Sequence, residues 1–255
     1  MDIKKVQRRL LQLAVTVRDI LEDNNTPYVL TYGSLLGAVR HNGFIPWDDD
    51  MDLFIFDEKY DFAIESLKRY LPNDMFIEDA SSEPMFFHGW ARLKDKTTIV
   101  DYALNNDNYV YKNKGLGVDL FRPKKVKEYE EKKYRLEEHI AYLNRKIQLR
   151  IKSYEELKPT LQNLEHDLLE EENRISQLSP DRLSIARDIY TFSVVPTKYY
   201  IEDLFPLKRY EFEDTYFMGP NNPAPFLTYC YGDYMTLPPI EKRKVHSRGV
   251  KFLSE

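Results

Sequence analysis

The sequence predicts an α/β (α+β) chain in which a mixed sheet is flanked by helices and interrupted by a helical insertion. Short strand-like apolar stretches alternate with helical patterns through residues 1–123, which is typical of α/β and α+β folds. No glycine occurs between Gly117 and Gly219, where a long charged stretch begins soon after the last predicted strand. The 255 residues suffice for one large core. We therefore predict a core domain in 1–123, a helical insertion in 124–195 and the C-terminal part of the core domain in 196–255.

The N-terminal part of the chain alternates helices and strands. Apolar residues at every third or fourth position from Ile3 to Ile20 predict an amphipathic helix that ends near Asn24 and lies across a sheet. Strands are expected at 27–32, 50–56, 75–79, 89–94, 97–103 and 117–122, and helices at 33–40 and 60–71. Residues 41–46, which follow the helix expected at 33–40, are expected to form a loop.

The insertion is predicted to contain a helical hairpin. Residues 124–179 carry equal numbers of basic and acidic side chains and two narrow apolar stripes, Leu136 to Tyr154 and Leu161 to Leu178. Pro159 is expected in the first turn of the second helix, because proline breaks a helix interior. A partner-binding coiled coil is an alternative, but stripes this narrow are more typical of two helices that pack on each other.

The last residues, 196–255, are rich in aromatic residues and proline. They contain EFEDTYFM (211–218), which we expect to form a strand, and then YCYGDYMTLPPIEKRKVH (229–246). These stretches are assigned to the core domain.

Composition limits the classes of partner and location. The chain has 42 acidic and 37 basic residues and a net charge of -5, which as a whole favours neither nucleic-acid wrapping nor an anionic membrane surface. Cys230 is the only cysteine, which fits a reducing compartment. The N-terminus lacks the apolar core of a signal peptide, and no stretch is long and apolar enough for a membrane span. We expect a cytoplasmic protein without nucleic-acid partners, and we leave open a place at the inner face of the membrane.

Four aspartates occur within residues 48–52, directly before an apolar run. Carboxylates at this density raise one another's pKa values unless a cation or strong donors compensate, so either a solvated turn or a metal site is required. On a strand, alternate side chains share a face, and Asp50 and Asp52 should therefore point together. The intervening residues are expected to enter the core: Met51, Leu53 and Ile55.

The same geometry separates the remaining aspartates. Asp49 would face away, and Asp48 would join the pair only if the extended geometry begins early. Asp119 in GVDLF has the same apolar flanks and could reach the same cation from an adjacent strand. Hard oxygen ligands of this kind suit Mg²⁺ or Mn²⁺.

Gly33 and Ser34 lie where a predicted strand ends and a helix begins. Free backbone N–H groups and a hydroxyl at a helix N-terminus stabilise an anion such as a phosphate. A Gly-Ser pair alone usually marks an ordinary turn. Followed by Asp-x-Asp on the next strand, it indicates a site like that of nucleotidyltransferases.

The stretch YGSLLGAVRHNGFIPWDDDMDLFI (32–55) resembles the signature of the LicD family of phosphotransferases, within the nucleotidyltransferase-fold superfamily. The resemblance continues through WARLKDKTTIVDY, GVDLF, LFPLKRYEFEDTYFMGP and YGDYMTLPPIEKRKVH. It covers most of residues 24–122 and 205–247 and leaves out the insertion.

This resemblance implies a nucleotidyltransferase-like catalytic core and metal-dependent transfer of a phosphorylated alcohol. The group is commonly phosphocholine, taken from a cytidine diphosphate donor and placed on a sugar hydroxyl of a surface glycan such as lipopolysaccharide, capsule or teichoic acid; eukaryotic relatives transfer ribitol phosphate. By resemblance, Asp50 and Asp52 are metal ligands, Asp119 is the third carboxylate, and Gly33 and Ser34 hold donor phosphate. Asp119 is also the candidate base.

Other residues of these motifs are candidates for substrate contacts. Those predicted to bind phosphate or sugar are Arg40, Arg92, Lys94, Arg243 and His246. Isolated Arg and Lys more often lie on solvated surface, and a lone histidine in a polar tail is more often simply exposed. Trp47 could stack on a base or sugar, or belong to the core.

One feature departs from the family pattern. After GVDLF the family usually continues with proline and an acidic residue, whereas this chain reads RPKKV. The charge near the site is therefore expected to be inverted, which leaves the donor and the acceptor open.

Two other functions use the same residues. Nucleotide transfer from a nucleoside triphosphate needs the same Gly-Ser and Asp-x-Asp parts. A non-catalytic glycan-binding scaffold is disfavoured, because a decayed site has no reason to retain several clustered carboxylates.

Overall fold

A computed structural model describes residues 1–102, 110–192, 197–243 and 245–253. Its helices are α1 Ile3–Asp23, α2 Tyr32–His41, α3 Asp57–Tyr70, α4 Glu131–Gln148, α5 Tyr154–Ser176, α6 Pro180–Ser184, α7 Ile201–Leu204 and α8 Ala224–Tyr231. Its strands are β1 Tyr28–Leu30, β2 Asp52–Ile55, β3 Met75–Glu78, β4 Ala91–Asp95, β5 Thr98–Tyr102, β6 Gly117–Phe121, β7 Lys124–Lys127, β8 Asp188–Thr191, β9 Tyr199–Tyr200, β10 Lys208–Phe212, β11 Thr215–Gly219 and β12 Ser247–Phe252. Across these ranges, none of the helices combines the length and apolar character needed to cross a membrane.

The α/β class is confirmed, and a five-stranded mixed sheet forms its centre. The strand order is β1-β2-β6-β4-β3, with β2 and β6 parallel and the other pairs antiparallel. Helix α1 packs on β4, β6 and α3, as its apolar stripe predicts. Asp2 caps α1 by accepting a hydrogen bond from the Lys5 N–H, and Asn24 follows its last residue. One hydrophobic core joins the sheet to α1, α2, α3 and α8.

The strand predicted for residues 50–56 is shorter than expected. Strand β2 begins at Asp52, because the paired positions of β1 and β6 reach no further toward the N-terminus. Asp50 therefore lies in the preceding loop, and the prediction that it shares a strand face with Asp52 is wrong. All four residues of β2 are buried, as a central strand covered on both faces requires.

The predicted helical hairpin is present as α4 and α5, which pack on each other. Its turn lies earlier than expected. Arg150 adopts a positive φ of 57°, and the Ser153 hydroxyl caps α5 by accepting a hydrogen bond from the Glu156 N–H at 3.2 Å. Pro159 consequently lies inside α5, and its assignment to the first turn of a new helix is wrong. The cap and the reversal at Arg150 determine where the second helix begins. Helix α5 tolerates the loss of one backbone hydrogen bond, because proline has no N–H to donate.

The hairpin is joined to the core domain at both ends. At its base, β7 pairs with β8 and β8 with β9 in a small antiparallel sheet that the sequence patterns did not indicate. Near its turn, Tyr142, Leu149 and Ile151 pack on a second apolar cluster. That cluster consists of Phe86, Phe87 and Tyr111.

The C-terminal residues return to the core domain in two strand pairs. EFEDTYFM, expected as one strand, is divided between β10 and β11, because Glu213 takes a positive φ of 54° and reverses the chain. Strand β12 pairs with β5. Residue 103, the end of the strand expected at 97–103, lies outside the described residues. The pairing of β12 brings residues 246 and 247 next to the aspartate loop.

Candidate functional site

Three neighbouring strands align the central residues of the site. Asp52 of β2 is paired in register with Asp119 of β6, and Asp119 is paired with Arg92 of β4. Paired positions on neighbouring strands direct their side chains to the same face of a sheet. The Asp119 N–H also donates to the Met51 carbonyl at 2.9 Å, which fixes β6 beside the aspartate loop. The sheet thus places two of the predicted carboxylates and one predicted arginine side by side.

Asp119 is held by two donors that approach the same oxygen. Trp90 Nε1 donates to Asp119 Oδ1 at 2.9 Å, and Arg92 Nε donates to it at 2.7 Å. Arg92 Nη2 lies 2.7 Å from His88 Nε2, and the His88 ring packs on Trp90 with centroids 4.3 Å apart. This chain of contacts orients the carboxylate so that Oδ1 is occupied and Oδ2 is left to face a ligand.

Asp48, Asp50 and His246 form a compact group of possible metal ligands. One ligand atom from each lies within 4.8 Å of the others. His246 Nε2 is 3.3 Å from Asp50 Oδ2 and 3.9 Å from Asp48 Oδ1. Asp50 and His246 were both predicted as site residues, and the structure brings them together. Asp48 joins them from the loop that precedes β2. The sequence predicted this only if the extended strand geometry began before Asp50, and the structure shows that this is not needed.

The carboxyls of this region resist ionisation. Burial, followed by the Asp50 charge, raises the pKa of Asp48 to about 9. Burial also raises the pKa of Asp50, against the opposing influence of His246. The pKa of Asp52 is raised well above its ordinary value by burial and by the charges of Asp50 and Asp119. A cation bound among these oxygens would remove the repulsion that causes part of these shifts.

Asp49 was expected to face away, but it lines the same cavity as Asp50 and His246, and it also has structural contacts. Its Oδ1 accepts a hydrogen bond from the His246 N–H at 2.7 Å, and its Oδ2 accepts one from the Ser247 N–H at 2.9 Å. Asp49 thus ties the start of β12 to the aspartate loop and holds the His246 side chain beside Asp50. The two residues are 197 positions apart, and no local pattern could have indicated the contact.

Gly33 and Ser34 lie in the first turn of α2, where the sequence placed them. A Cβ atom on Gly33 would lie 2.9 Å from Asp48 Oδ2, so only glycine lets this carboxylate approach the helix N-terminus so closely. Ser34 Oγ accepts a hydrogen bond from the Asp52 N–H at 2.9 Å and is buried. The hydroxyl therefore connects α2 to β2, and its own proton remains to be donated.

A polar cavity of about 170 Å³ lies beside these residues. Asp49 lines this cavity together with five predicted site residues: Asp50, Arg92, Lys94, Asp119 and His246. Lys94 is buried, and Gly117 leaves it room, since a Cβ there would come within 3.0 Å of Lys94 Cδ. Two cations and several carboxylates facing one small space suit a ligand that carries phosphate together with a cation.

Three further candidates form a separate group outside the cavity lining. The Arg243 guanidinium stacks on the Trp47 ring at 4.6 Å and donates from Nε to the Pro238 carbonyl at 3.0 Å. Arg40 Nη1 donates to the Tyr234 carbonyl at 2.6 Å. Burial, and the nearby Arg243 charge, lower the pKa of Arg40. Trp47 is partly buried against the core, which agrees with the core role considered for it, and its stacking on a base or sugar stays a prediction.

The basic residues that depart from the family pattern contact α3. Arg122 pairs with Asp57, and its Nη1 donates to Asp61 at 3.0 Å. Lys124 Nζ donates to Asp57 at 2.8 Å. Neither residue lines the cavity. RPKKV therefore gives no sign of an inverted charge in the cavity.

Sequence reasoning missed His88, Trp90 and Tyr231. His88 and Trp90 position Arg92 and Asp119, but an aromatic run before a strand normally indicates core. Burial raises the pKa of Tyr231, and so do the charges of Asp52 and Asp48. The only signal for these residues is their place inside or beside the quoted motifs.

The chain is similar to proteins of one known family. Residues 25–158 match the model of the LicD/FKTN/FKRP family, described as a nucleotidyltransferase domain. The match extends beyond residue 122, where the first of the two recognised stretches ended, and includes α4. A lipopolysaccharide cholinephosphotransferase, LicD of Haemophilus influenzae, is 26% identical over 238 residues, 86% of each chain. The ribitol 5-phosphate transferase FKRP of Homo sapiens is 49% identical over 49 residues, 19% of this chain and 10% of the human protein. The chain belongs to the LicD/FKTN/FKRP family.

Proposed function

We propose that the protein is a metal-dependent transferase that moves a phosphorylated alcohol from a cytidine diphosphate donor to a sugar hydroxyl of a cell-surface glycan. The observation that carries this proposal is the adjacency of the Asp48, Asp50 and His246 group to a cavity lined by Arg92, Lys94 and Asp119. The bacterial and human relatives, named as a cholinephosphotransferase and a ribitol 5-phosphate transferase, support the class of reaction. Phosphocholine is the first group to test.

The donor set fits a divalent cation. The carboxyl groups of Asp48 and Asp50 have raised pKa values, and their oxygens lie close enough to a ring nitrogen of His246 for all three residues to bind one ion. Oxygen-rich sets of this kind favour Mg²⁺ or Mn²⁺. We propose Asp50, Asp52 and Asp119 as ligands, with Asp48 and His246 as additional candidates. When bound, the cation would neutralise charge on the donor phosphates.

The chain's own groups then have distinct tasks. Arg92 and Lys94 bind phosphate oxygens from the cavity wall. The backbone N–H groups of Gly33 and Ser34 at the N-terminus of α2, with the Ser34 hydroxyl proton, bind a second set of phosphate oxygens. Trp90 and Arg92 orient Asp119 by occupying Oδ1. These contacts place the donor phosphorus in line with an acceptor hydroxyl.

The transfer step is a single displacement at phosphorus. The acceptor oxygen forms a bond to the phosphorus of the phosphorylated alcohol, and the bond from that phosphorus to cytidine monophosphate breaks. Asp119 Oδ2 is our candidate to take the proton of the hydroxyl. A carboxylate oxygen that also coordinates a cation is a weaker base, so the ligand and base roles of Asp119 compete.

Release of cytidine monophosphate tests the proposal. The protein is incubated with Mg²⁺ or Mn²⁺, with cytidine diphosphate derivatives of choline, ribitol, glycerol and ethanolamine, and with sugar acceptors. We expect acceptor-dependent release with at least one donor, and none with Asp50→Asn. Asp167→Asn, which alters an exposed aspartate of α5, is the matched control. Release of pyrophosphate from cytidine triphosphate would instead show nucleotide transfer, and glycan binding without either product would show a scaffold.

A further inference from the structure

Exposed apolar side chains are concentrated in one short part of the chain. Between residues 229 and 245 the large exposed apolar residues are Tyr229, Tyr231, Met235, Leu237, Ile240 and Val245. Ile240 is 77% exposed, Met235 56% and Leu237 48%. Single apolar residues on a surface are ordinary, but a concentration of this kind marks an interaction site. We call residues 229–245 the docking segment.

The docking segment is held in a defined shape. Gly232, with a positive φ of 66°, ends α8, and the consecutive prolines 238 and 239 restrict the chain before a short 3₁₀ helix at Ile240–Lys242. The side chains of Arg40 and Arg243 bind backbone carbonyls within the segment, at Tyr234 and Pro238. Its apolar side chains therefore project from a supported loop.

Both ends of the docking segment reach the proposed active site. At one end, the Tyr231 hydroxyl is close enough to the aspartates for their charges to raise its pKa. Just beyond the other end, His246 Nε2 lies 3.3 Å from Asp50 Oδ2. The docking segment is therefore connected to the site at both ends.

Charge is distributed unevenly around this loop. Residues 240–251 contain five Lys or Arg and one acidic residue, whereas the whole chain has a net charge of -5. Lys242 and Arg248 are exposed. Apolar side chains next to basic ones match the two layers of an anionic bilayer surface, the acyl boundary and the phosphate groups. Tyrosines, also present here, favour the interface between them.

We propose that the docking segment binds the surface of an anionic lipid bilayer. Met235, Leu237 and Ile240 enter the headgroup region, and the neighbouring basic side chains pair with lipid phosphates. This orientation turns the entrance of the site toward the membrane, where a lipid-linked acceptor would be found. Lipid binding itself needs no donor or acceptor, so its test is independent of the proposed transferase activity.

Vesicle flotation tests the proposal with the full-length protein. We expect it to float with vesicles of phosphatidylglycerol and phosphatidylethanolamine, and much less with phosphatidylcholine or at high salt, because salt screens charge pairing at a surface. Ile240→Asp should weaken binding by about tenfold or more, since a charged side chain is costly in the apolar layer. The control is Ile185→Asp, because Ile185 is 79% exposed and lies outside the docking segment. Its binding should equal that of the wild type.

Three results would overturn the proposal. The first is an absence of flotation with anionic vesicles; the second is equal flotation of wild type and Ile240→Asp. The third is concentration-dependent self-association without lipid that Ile240→Asp abolishes, which would assign the surface to a second copy of the chain. Leu237→Asp is measured in parallel, and thermal melts confirm that each variant is folded.

Discussion

Ser34 has a structural and a proposed binding role. Its buried hydroxyl accepts the Asp52 N–H at 2.9 Å and can also donate to a phosphate. Ser34→Ala should reduce use of the donor, and the unpaired Asp52 N–H should lower the free energy of unfolding by about 1–3 kcal/mol. Urea melts and cytidine monophosphate release measure the two effects. Ser66→Ala, at a buried serine of α3, is the control, and an unchanged KM for the donor would remove Ser34 from the phosphate site.

His88 is expected to act through Arg92. His88→Phe keeps the ring that packs on Trp90 and removes the nitrogen that lies 2.7 Å from Arg92 Nη2. A hydrogen bond to a charged group is worth about 1.5–3 kcal/mol, so kcat should fall by about tenfold to a hundredfold with little change in melting temperature. His88→Gln should restore part of the loss.

The matched control for His88 is His166→Phe, because His166 is exposed on α5. A wild-type kcat in His88→Phe together with a reduced kcat in His88→Gln would show that the ring matters and the nitrogen does not. A large fall in melting temperature without a fall in kcat would make His88 a core residue only.

Among the elements, the hairpin contacts the segment that carries His88. Tyr142 of α4 packs on Phe87, with ring centroids 5.7 Å apart, and Phe87 packs on His88. Replacement of 131–176 by a flexible linker leaves β7 and β8 in place and should leave the main core folded, because the two apolar clusters are separate. Transfer should nevertheless fall, since residues 85–90 lose their support.

A smaller change tests the same contact. Tyr142→Ala should lower the free energy of unfolding by about 1–3 kcal/mol and should reduce kcat, because an aromatic contact is lost. Leu169→Ala, at an exposed position of α5, should change neither. If the linker variant has no cooperative melt, the hairpin belongs to the folding unit of the core, and our boundary at residue 124 is wrong.

The elements that sequence predicted correctly are those specified by local periodicity. Helix α1 and strands β3, β4 and β6 each follow an apolar pattern that their own residues contain. The errors occur where a single backbone conformation decides. Arg150 and Glu213 adopt positive φ values that no residue-type preference would have indicated, and each moved an element boundary. The short strands β7, β8 and β9 depend on partners distant in sequence.

The site residues also divide into those that local patterns indicate and those that depend on contacts distant in sequence. Asp50 and Asp52 could be proposed from their short spacing and Asp119 from its apolar flanks and the family resemblance, and the aligned registers of β2 and β6 place Asp52 beside Asp119. The contact between the aspartate loop and residues 246 and 247 joins opposite ends of the chain. A pattern confined to neighbouring residues contains no information about such contacts.

Over the whole molecule, two sets of carboxyls give opposite dependences of stability on pH. Despite the cost of burial, hydrogen bonds from Arg9 hold the pKa of Asp95 below its ordinary value, so the stability from this pair is lost as pH falls through that lowered pKa. The carboxyls of Asp48 and Asp52 have raised pKa values. The contribution of Asp48 is fully present below the pKa of the unfolded chain and is lost as pH rises toward about 9, and the contribution of Asp52 is lost in the same direction.

The metal-free protein should therefore become less stable as pH rises from about 5 to 8, by up to about 1.4 kcal/mol per pH unit for each such carboxyl. Mg²⁺ or Mn²⁺ should reverse this trend, because a bound cation favours the charged carboxylates.

Asp50→Asn and Asp52→Asn should each nearly abolish transfer, match or exceed the metal-free stability of the wild type, and remove the stabilisation by metal. Thermal melts across this pH range, with and without metal and nucleotide, measure all three effects, and Asp167→Asn should behave as the wild type. If the aspartates only capped a turn, both substitutions would instead destabilise the protein by about 1 kcal/mol with or without metal. A wild-type melt indifferent to metal and nucleotide, together with active mutants, would exclude a cation site because the carboxylate repulsion would then have no ligand to relieve it.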